Sequence, residues 1–145
     1  MARTREKGRQ GLHDYSKMVP QPTPETQPFW DGLKEGKLMI QRAKKSGKAY
    51  FPPRHFFPGD PTQEVEWFQA SGKGKLHTYV ISHRPPPGYE APFAIAVVEL
   101  DEGPRLLTNI VDCPQTPEAL QLDMALVLAP HKVTDDITLP LFRPA

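Results

Sequence analysis

The 145-residue sequence predicts a mainly β protein that ends in a small closed antiparallel barrel, and three observations carry that expectation. Its 18 prolines far exceed the roughly 7 that an average usage of about 5% would give, which favours short elements with abrupt ends over long helices. Hydrophobic residues still make up 38% of the chain, enough for one core at this length. After Gly36, runs rich in β-branched and aromatic residues alternate with Gly, Pro, Asn and Asp, the pattern of strands separated by turns.

Residues 1–22 are polar and basic, through Arg3, Arg5, Lys7, Arg9 and Lys17, and are expected to form a tail or loosely held arm. Within them Leu12, Tyr15 and Met18 recur at i, i+3 and i+6, which fits one amphipathic helical segment. In TQPFWDGLKEG, Thr26 is placed to cap a short helix, Pro28 sits in its first turn where no N–H is needed, and Gly36 ends it. Phe29, Trp30 and Leu33 then share one side, with Trp30 expected as a core anchor because indole buries a large apolar area.

The strand runs follow in order: KLMIQRA (37–43), KAYFPP (48–53), EVEWFQASG (64–72), KLHTYVISH (75–83), APFAIAVVELD (91–101), PRLLTNIVD (104–112), DMALVLAPH (123–131) and DITLPLFRP (136–144). GKGK at Gly72–Lys75 has the wrong spacing for a phosphate loop and predicts a bend or bulge entering the barrel. Glu102-Gly103-Pro104 predicts a tight hairpin, since glycine tolerates positive φ and proline stops the ladder. PQTPEAL predicts a helical turn capped by Thr116. The last five strands suit an OB-type barrel, whose closure removes exposed edges.

Net charge is +1, yet residues 1–60 hold 12 Lys/Arg against 6 Asp/Glu, and residues 61–145 hold 6 against 11. The basic half invites phosphates or an acidic surface; a solvated basic arm is the plainer alternative. A single cysteine, Cys113, excludes an intrachain disulfide. The longest apolar run is FAIAVV, and MARTREKGRQ lacks an apolar core, so neither a membrane helix nor a secretory signal is expected and a cytoplasmic protein is.

The segment AKKSGKAYFPPRHFFPGD (43–60) places two tight turns either side of a short apolar run, with the spacing of a four-cysteine zinc site and none of its cysteines. This segment, with PFWDGLKEGKL (28–38), YFPPR (50–54), ASGKGKLHTY (70–79), PFAIAVVELDEGPRLLTNIV (92–111) and FRP (142–144), resembles the bacterial and archaeal OB-fold proteins long called domain of unknown function family 35 and now usually called acyl-CoA-associated. The resemblance implies a tail and helical segment over 1–36, a zinc-ribbon-like hairpin module over 37–63 and an OB-fold barrel over 64–145. It maps the family's paired cysteines onto Ala43, Ser46, Phe57 and Asp60. Alanine and phenylalanine coordinate nothing, and adding His55 to Asp60 gives only two ligands of the four that zinc requires, so no zinc is expected. Because metal binding contributes on the order of 10 kcal/mol in comparable peptides, Phe51, Phe56 and Phe57 are expected to form an apolar plug in its place.

No nucleophile elbow, Walker loop, dinucleotide fingerprint or metalloprotease motif is present in the sequence. His77 and His83 fall on one expected strand face, but six residues span about 20 Å, too far for joint acid–base work. Glu99, Asp101 and Glu102 cluster at a hairpin end, where solvated charge is ordinary. The resemblance implies a non-catalytic accessory subunit that binds acyl-CoA or associates with a thiolase-like, acyltransferase or hydratase enzyme. Candidate ligand or partner contacts are Lys44, Lys45 and Arg54, in a cluster with Lys34, Lys37, Arg42 and Lys48, and also Arg84 and Tyr89 at the ends of the RPPPGY loop. A stiff connector is the plain alternative for that loop. Single-stranded nucleic-acid binding through Trp67, Phe68 and Tyr79 is the competing function, disfavoured by a near-neutral chain with an acidic barrel half.

Overall fold

The computed structural model describes residues 13–145. Leu12 and the basic residues Arg3, Arg5, Lys7 and Arg9 lie outside them. Instead of an amphipathic helix, Tyr15–Lys17 form a single 3-10 turn. The Asp14 carboxylate accepts from the Ser16 N–H, and Pro20 and Pro22 follow closely, so the turn is capped at once and cannot propagate. Tyr15 is buried while Met18 is 57% exposed, which breaks the expected apolar stripe.

Helix α1 (Gln27–Lys34) begins at Thr26 with proline in its first turn and buries Phe29, Gly32 and Leu33. The Thr26 hydroxyl does not cap it; it accepts instead from the Thr23 N–H at 2.9 Å. Trp30 is half-buried and meets the Phe29 ring edge-on at 5.0 Å. It packs against the core rather than filling it.

Two antiparallel sheets follow. Strands β1 (Met39–Ala43), β2 (Ala49–Tyr50) and β3 (Val65–Gln69) form the first, in the order β2-β1-β3. Strands β4 (Lys73–Ser82), β5 (Phe93–Leu100), β6 (Arg105–Thr108), β7 (Ala125–Lys132) and β8 (Thr138–Pro144) form the second, in the order β6-β5-β4-β7-β8. The second sheet curls until its ends meet. Ile110 bridges Phe142 in parallel, the Val111 N–H donates to the Phe142 carbonyl at 2.8 Å, and the Thr108 hydroxyl donates to the Pro140 carbonyl at 2.8 Å. This is the curled five-stranded architecture of an OB fold.

The turns form where the sequence placed them. Gly103 adopts φ 108°, and Leu100 and Pro104 close the hairpin with a 2.9 Å bond from N–H to carbonyl. Over Pro114–Leu120 the chain makes a turn, with the Leu120 N–H on the Thr116 carbonyl at 3.1 Å, and Leu120 inserts into the core.

The bulge lies elsewhere than GKGK. Gly72 supplies a bend at φ 74°, and Gly74 lets two strands approach, since a Cβ there would stand 2.5 Å from the Glu99 carbonyl oxygen. The ladder itself slips between Leu76 and Thr78. An inserted residue reverses strand parity, so Gly74 and Leu76 are buried before it, whereas Thr78 and Val80 are exposed after it. His77 and His83 therefore do not share a period-two face, and His83 lies beyond the strand.

One core joins the two sheets. Phe29, Leu33, Leu38 and Ile40 from the N-terminal part pack with Leu76, Val98, Leu126 and Phe142 of the barrel. No described helix is long and apolar enough to cross a membrane.

Candidate functional site

Four regions carry the chemistry. The first is the segment with metal-site spacing. Ala43 ends β1 fully buried, and the turn after it is closed by Gly47 N–H on the Ala43 carbonyl (2.8 Å) and Ala43 N–H on the Lys48 carbonyl (3.0 Å). Ser46 Oγ accepts from the Lys48 N–H at 3.3 Å. In the second turn the Asp60 carboxylate accepts from the Thr62 N–H (3.1 Å), the Thr62 hydroxyl (2.6 Å) and Gln63 Nε2 (2.9 Å). Those bonds hold its carboxyl below the usual range. Two positions thus offer no donor atom and the oxygens of the other two are engaged, so this set does not fit zinc.

The expected plug of three phenylalanines does not form. Phe56 is 52% exposed. Phe51 turns toward α1 and meets Phe29 at 5.4 Å. Only Phe57 packs locally, edge-on to Tyr50 at 5.6 Å. Strand register explains why: Gln41 pairs with Tyr50, the Tyr50 hydroxyl donates to Gln41 Oε1 at 2.6 Å, and the ring so fixed is the one that Phe57 meets. The Arg54 N–H donates to the same Oε1 at 2.7 Å.

The basic cluster is the second region, and most of it is paired. Lys34 meets Asp31 at 3.8 Å, Lys37 meets Glu35 at 2.9 Å, Arg42 meets Glu66 at 2.9 Å and Lys44 meets Glu64 at 3.2 Å. Arg42 also lies 4.5 Å over the Phe68 ring. Among the described residues Lys45, Lys48 and Arg54 have no carboxylate partner. The positive field is therefore narrower than the sequence count suggests. Trp67 and Phe68 are adjacent on β3 and project to opposite faces, while Tyr79 belongs to the other sheet. They do not make one stacking platform.

The third region is the RPPPGY loop, where an unexpected partner appears. One backbone bond joins the Asp14 N–H to the Gly88 carbonyl at 2.7 Å, and the Glu90 N–H donates to His13 Nδ1 at 2.9 Å. His13 stacks on Tyr89 at 4.7 Å, and Tyr15 packs edge-on against Tyr89 (5.4 Å) and His131 (5.0 Å). Gly88 is at φ 88°, and a Cβ there would collide with the Asp14 carbonyl oxygen. Tyr89 is thereby covered, while Arg84 stays exposed. Burial pushes the Tyr15 phenol up to about 12 and the Tyr89 phenol upward, and lowers His13. Sequence periodicity missed this cluster because its members come from three separated segments.

The fourth region is the outer barrel face. Register sets Val80 opposite Ile95, and Thr78, Val97 and Leu107 in one row, so these side chains share a face. Val80 is 60% and Leu107 67% exposed. One end of the row is charged: Glu99 accepts from Arg105 Nε at 3.0 Å and lies 3.6 Å from Lys75. The Arg105 bond holds the Glu99 carboxyl below its ordinary value. Glu102, expected to be merely solvated, accepts from the Ser71 N–H and hydroxyl at 2.8 Å each. The cue for this face was the run of alternate β-branched residues, whose outward half only the bulge identifies.

Comparison with known proteins follows this geometry. Residues 67–129 match the family described as ChsH2, C-terminal OB-fold domain. A DUF35 domain-containing scaffold protein of Methanocaldococcus jannaschii is 37% identical over 111 residues, covering 74% of this chain and 77% of that protein. The chain belongs to the DUF35 family. A probable enoyl-CoA hydratase alpha subunit of Thermomonospora curvata is 35% identical to this DUF35 chain over 119 residues, 81% of the chain but only 37% of the relative. Among solved structures, a chain of an Ltp2-ChsH2(DUF35) aldolase superposes with a TM-score of 0.76 at 31% identity, covering 87% of this DUF35 chain and 98% of that one.

Proposed function

We propose that this DUF35 chain is a non-catalytic accessory subunit of an acyl-CoA-processing enzyme, a hydratase, an aldolase or a thiolase-like or acyltransferase partner. The observation that carries the reading is the match over 98% of a DUF35 chain whose structure is named as an aldolase with Ltp2. The relative named as a hydratase alpha subunit supports the same class of chemistry. Within the chain, Cys113 is a poor nucleophile, since burial and the neighbouring Asp112 push its thiol upward.

An accessory subunit needs a docking face, and the row Val80, Ile95, Val97 and Leu107 supplies exposed apolar surface bordered by charge. Acyl-CoA contact belongs to this reading at Lys45, Arg54 and Arg84, whose cations face solvent without a carboxylate partner among the described residues. Lys44 and Tyr89 contribute less, being held by Glu64 and His13.

The test is affinity purification of the tagged chain from its source cell, with co-eluting proteins identified by mass spectrometry. A stoichiometric acyl-CoA enzyme subunit is expected with the native chain, and Leu107→Asp is expected to reduce its recovery at least tenfold while leaving the fold intact. Recovery of the native chain alone would remove the functional reading. Recovery unaffected by Leu107→Asp would move the docking face elsewhere.

A further inference from the structure

A cleft of about 200 Å³ opens on one face of the three-stranded sheet. Its floor comes from strand register: Gln41 on β1 pairs with Trp67 on β3, so the amide and the indole lie side by side on the same face. Pro28 forms an apolar wall, and Arg54 and His55 stand at the rim. The volume falls below the roughly 300 Å³ at which drug-sized pockets begin, so a single ring or a short chain with one polar head is the largest occupant that fits.

The polar inventory is one-sided. Gln41 is only 5% exposed, yet its amide is half used. Oε1 accepts from both the Tyr50 hydroxyl and the Arg54 N–H, which fills both lone pairs and fixes the amide orientation. Nε2 is thereby the free end, and its two N–H groups have no partner among the described residues. Nε2 is not among the buried side-chain atoms left without a partner, so it meets solvent in the cleft and offers donors already held in one orientation. At the rim, the Arg54 guanidinium has no carboxylate partner among the described residues. The one carboxylate present, Glu25, is 3.0 Å from His55 Nε2 and is occupied there.

From this we infer that the cleft between Gln41, Trp67 and Arg54 is a binding site for a small ligand whose acidic head, a carboxylate or a phosphate monoester, is carried on a flat apolar body. The head accepts from Gln41 Nε2 and from the Arg54 guanidinium, which provide a fixed donor and a mobile cation. The body lies along Trp67 and Pro28, where a ring gains stacking and loses water. The site shares Arg54 with the proposed acyl-CoA contact but requires no partner subunit, so it stands or falls apart from the accessory role.

Benzoate and phenyl phosphate are the probes, titrated separately into the ¹⁵N-labelled full chain while the Gln41 side-chain amide and Trp67 indole signals are followed. Saturable shifts of both signals are expected, and the probe that binds more tightly identifies the head group. Arg54→Gln, which keeps the backbone N–H, is expected to weaken binding at least tenfold. Gln41→Glu keeps the acceptor used by Tyr50 and Arg54 but replaces the donors with a repelling charge, and is expected to abolish binding. Lys132→Gln, at the end of β7 and outside the cleft, is expected to change affinity less than twofold. Absence of saturable shifts with both probes, or equal weakening by Arg54→Gln and Lys132→Gln, would overturn the assignment.

Discussion

The two sheets solve the same problem with different materials. The barrel buries Leu76, Val98, Leu126 and Phe142 completely or nearly so and locks its seam with backbone bonds at Phe142. The three-stranded sheet packs Ile40 and the residues of α1 in the same way on one side. Its other face is organised around Gln41, a buried amide serving a phenol and a backbone N–H, and its second turn around Asp60. That face relies on polar bonds whose cost when broken is local.

Removing apolar bulk from the barrel gives the largest expected effect. Phe142→Ala leaves a void at the seam and is expected to cost about 3–5 kcal/mol, read as a lowered urea midpoint of the cooperative transition. Gln41→Leu strands the Tyr50 hydroxyl and the Arg54 N–H and is expected to cost about 2 kcal/mol. Its signature differs: amide exchange should accelerate over residues 39–69 well before residues 73–144. Uniform acceleration across both sheets would show that they unfold as one unit.

The smallest effect concerns the arm docked on the RPPPGY loop. The docked state favours the neutral His13 ring, which accepts from Glu90 and faces Tyr15, Tyr89 and Phe93, with the Glu90 charge opposing the effect of burial. Because burial lowers the docked value, docking is complete above the ordinary imidazole value of 6.5 and weakens as pH falls through and below it. At the other limit, the Tyr15 phenol, raised from 10.0 to about 12, favours docking below 10 and loses it as pH climbs toward 12. Exchange of the Asp14 amide should therefore be slowest between these limits, after correction for the intrinsic rate. Gly88→Ala should abolish that protection at every pH, and a flat profile in the native chain would remove the latch.

The local features were legible in the sequence. Gly103-Pro104, Thr116-Pro117 and the Pro28–Gly36 helix are written in residues whose φ preferences or missing N–H act within one turn. The candidate site was legible only in part. Arg54 stands at the cleft as an unpaired cation among the described residues, but Lys44 was discounted by Glu64, twenty positions away, and Tyr89 by His13, seventy-six positions away. Gln41 carried no signal, since a glutamine in a strand is ordinary until its neighbours across the sheet are known.

The sequence by itself determined the strands, their punctuation and the lack of metal donors at Ala43 and Phe57, because each follows from short-range sterics or from the atoms a side chain possesses. The tertiary structure alone decided which face the residues of β4 present beyond the inserted His77, and which charges remain free. Both depend on register and on partners distant in the chain, and a linear pattern holds no information on a neighbour until folding has chosen it.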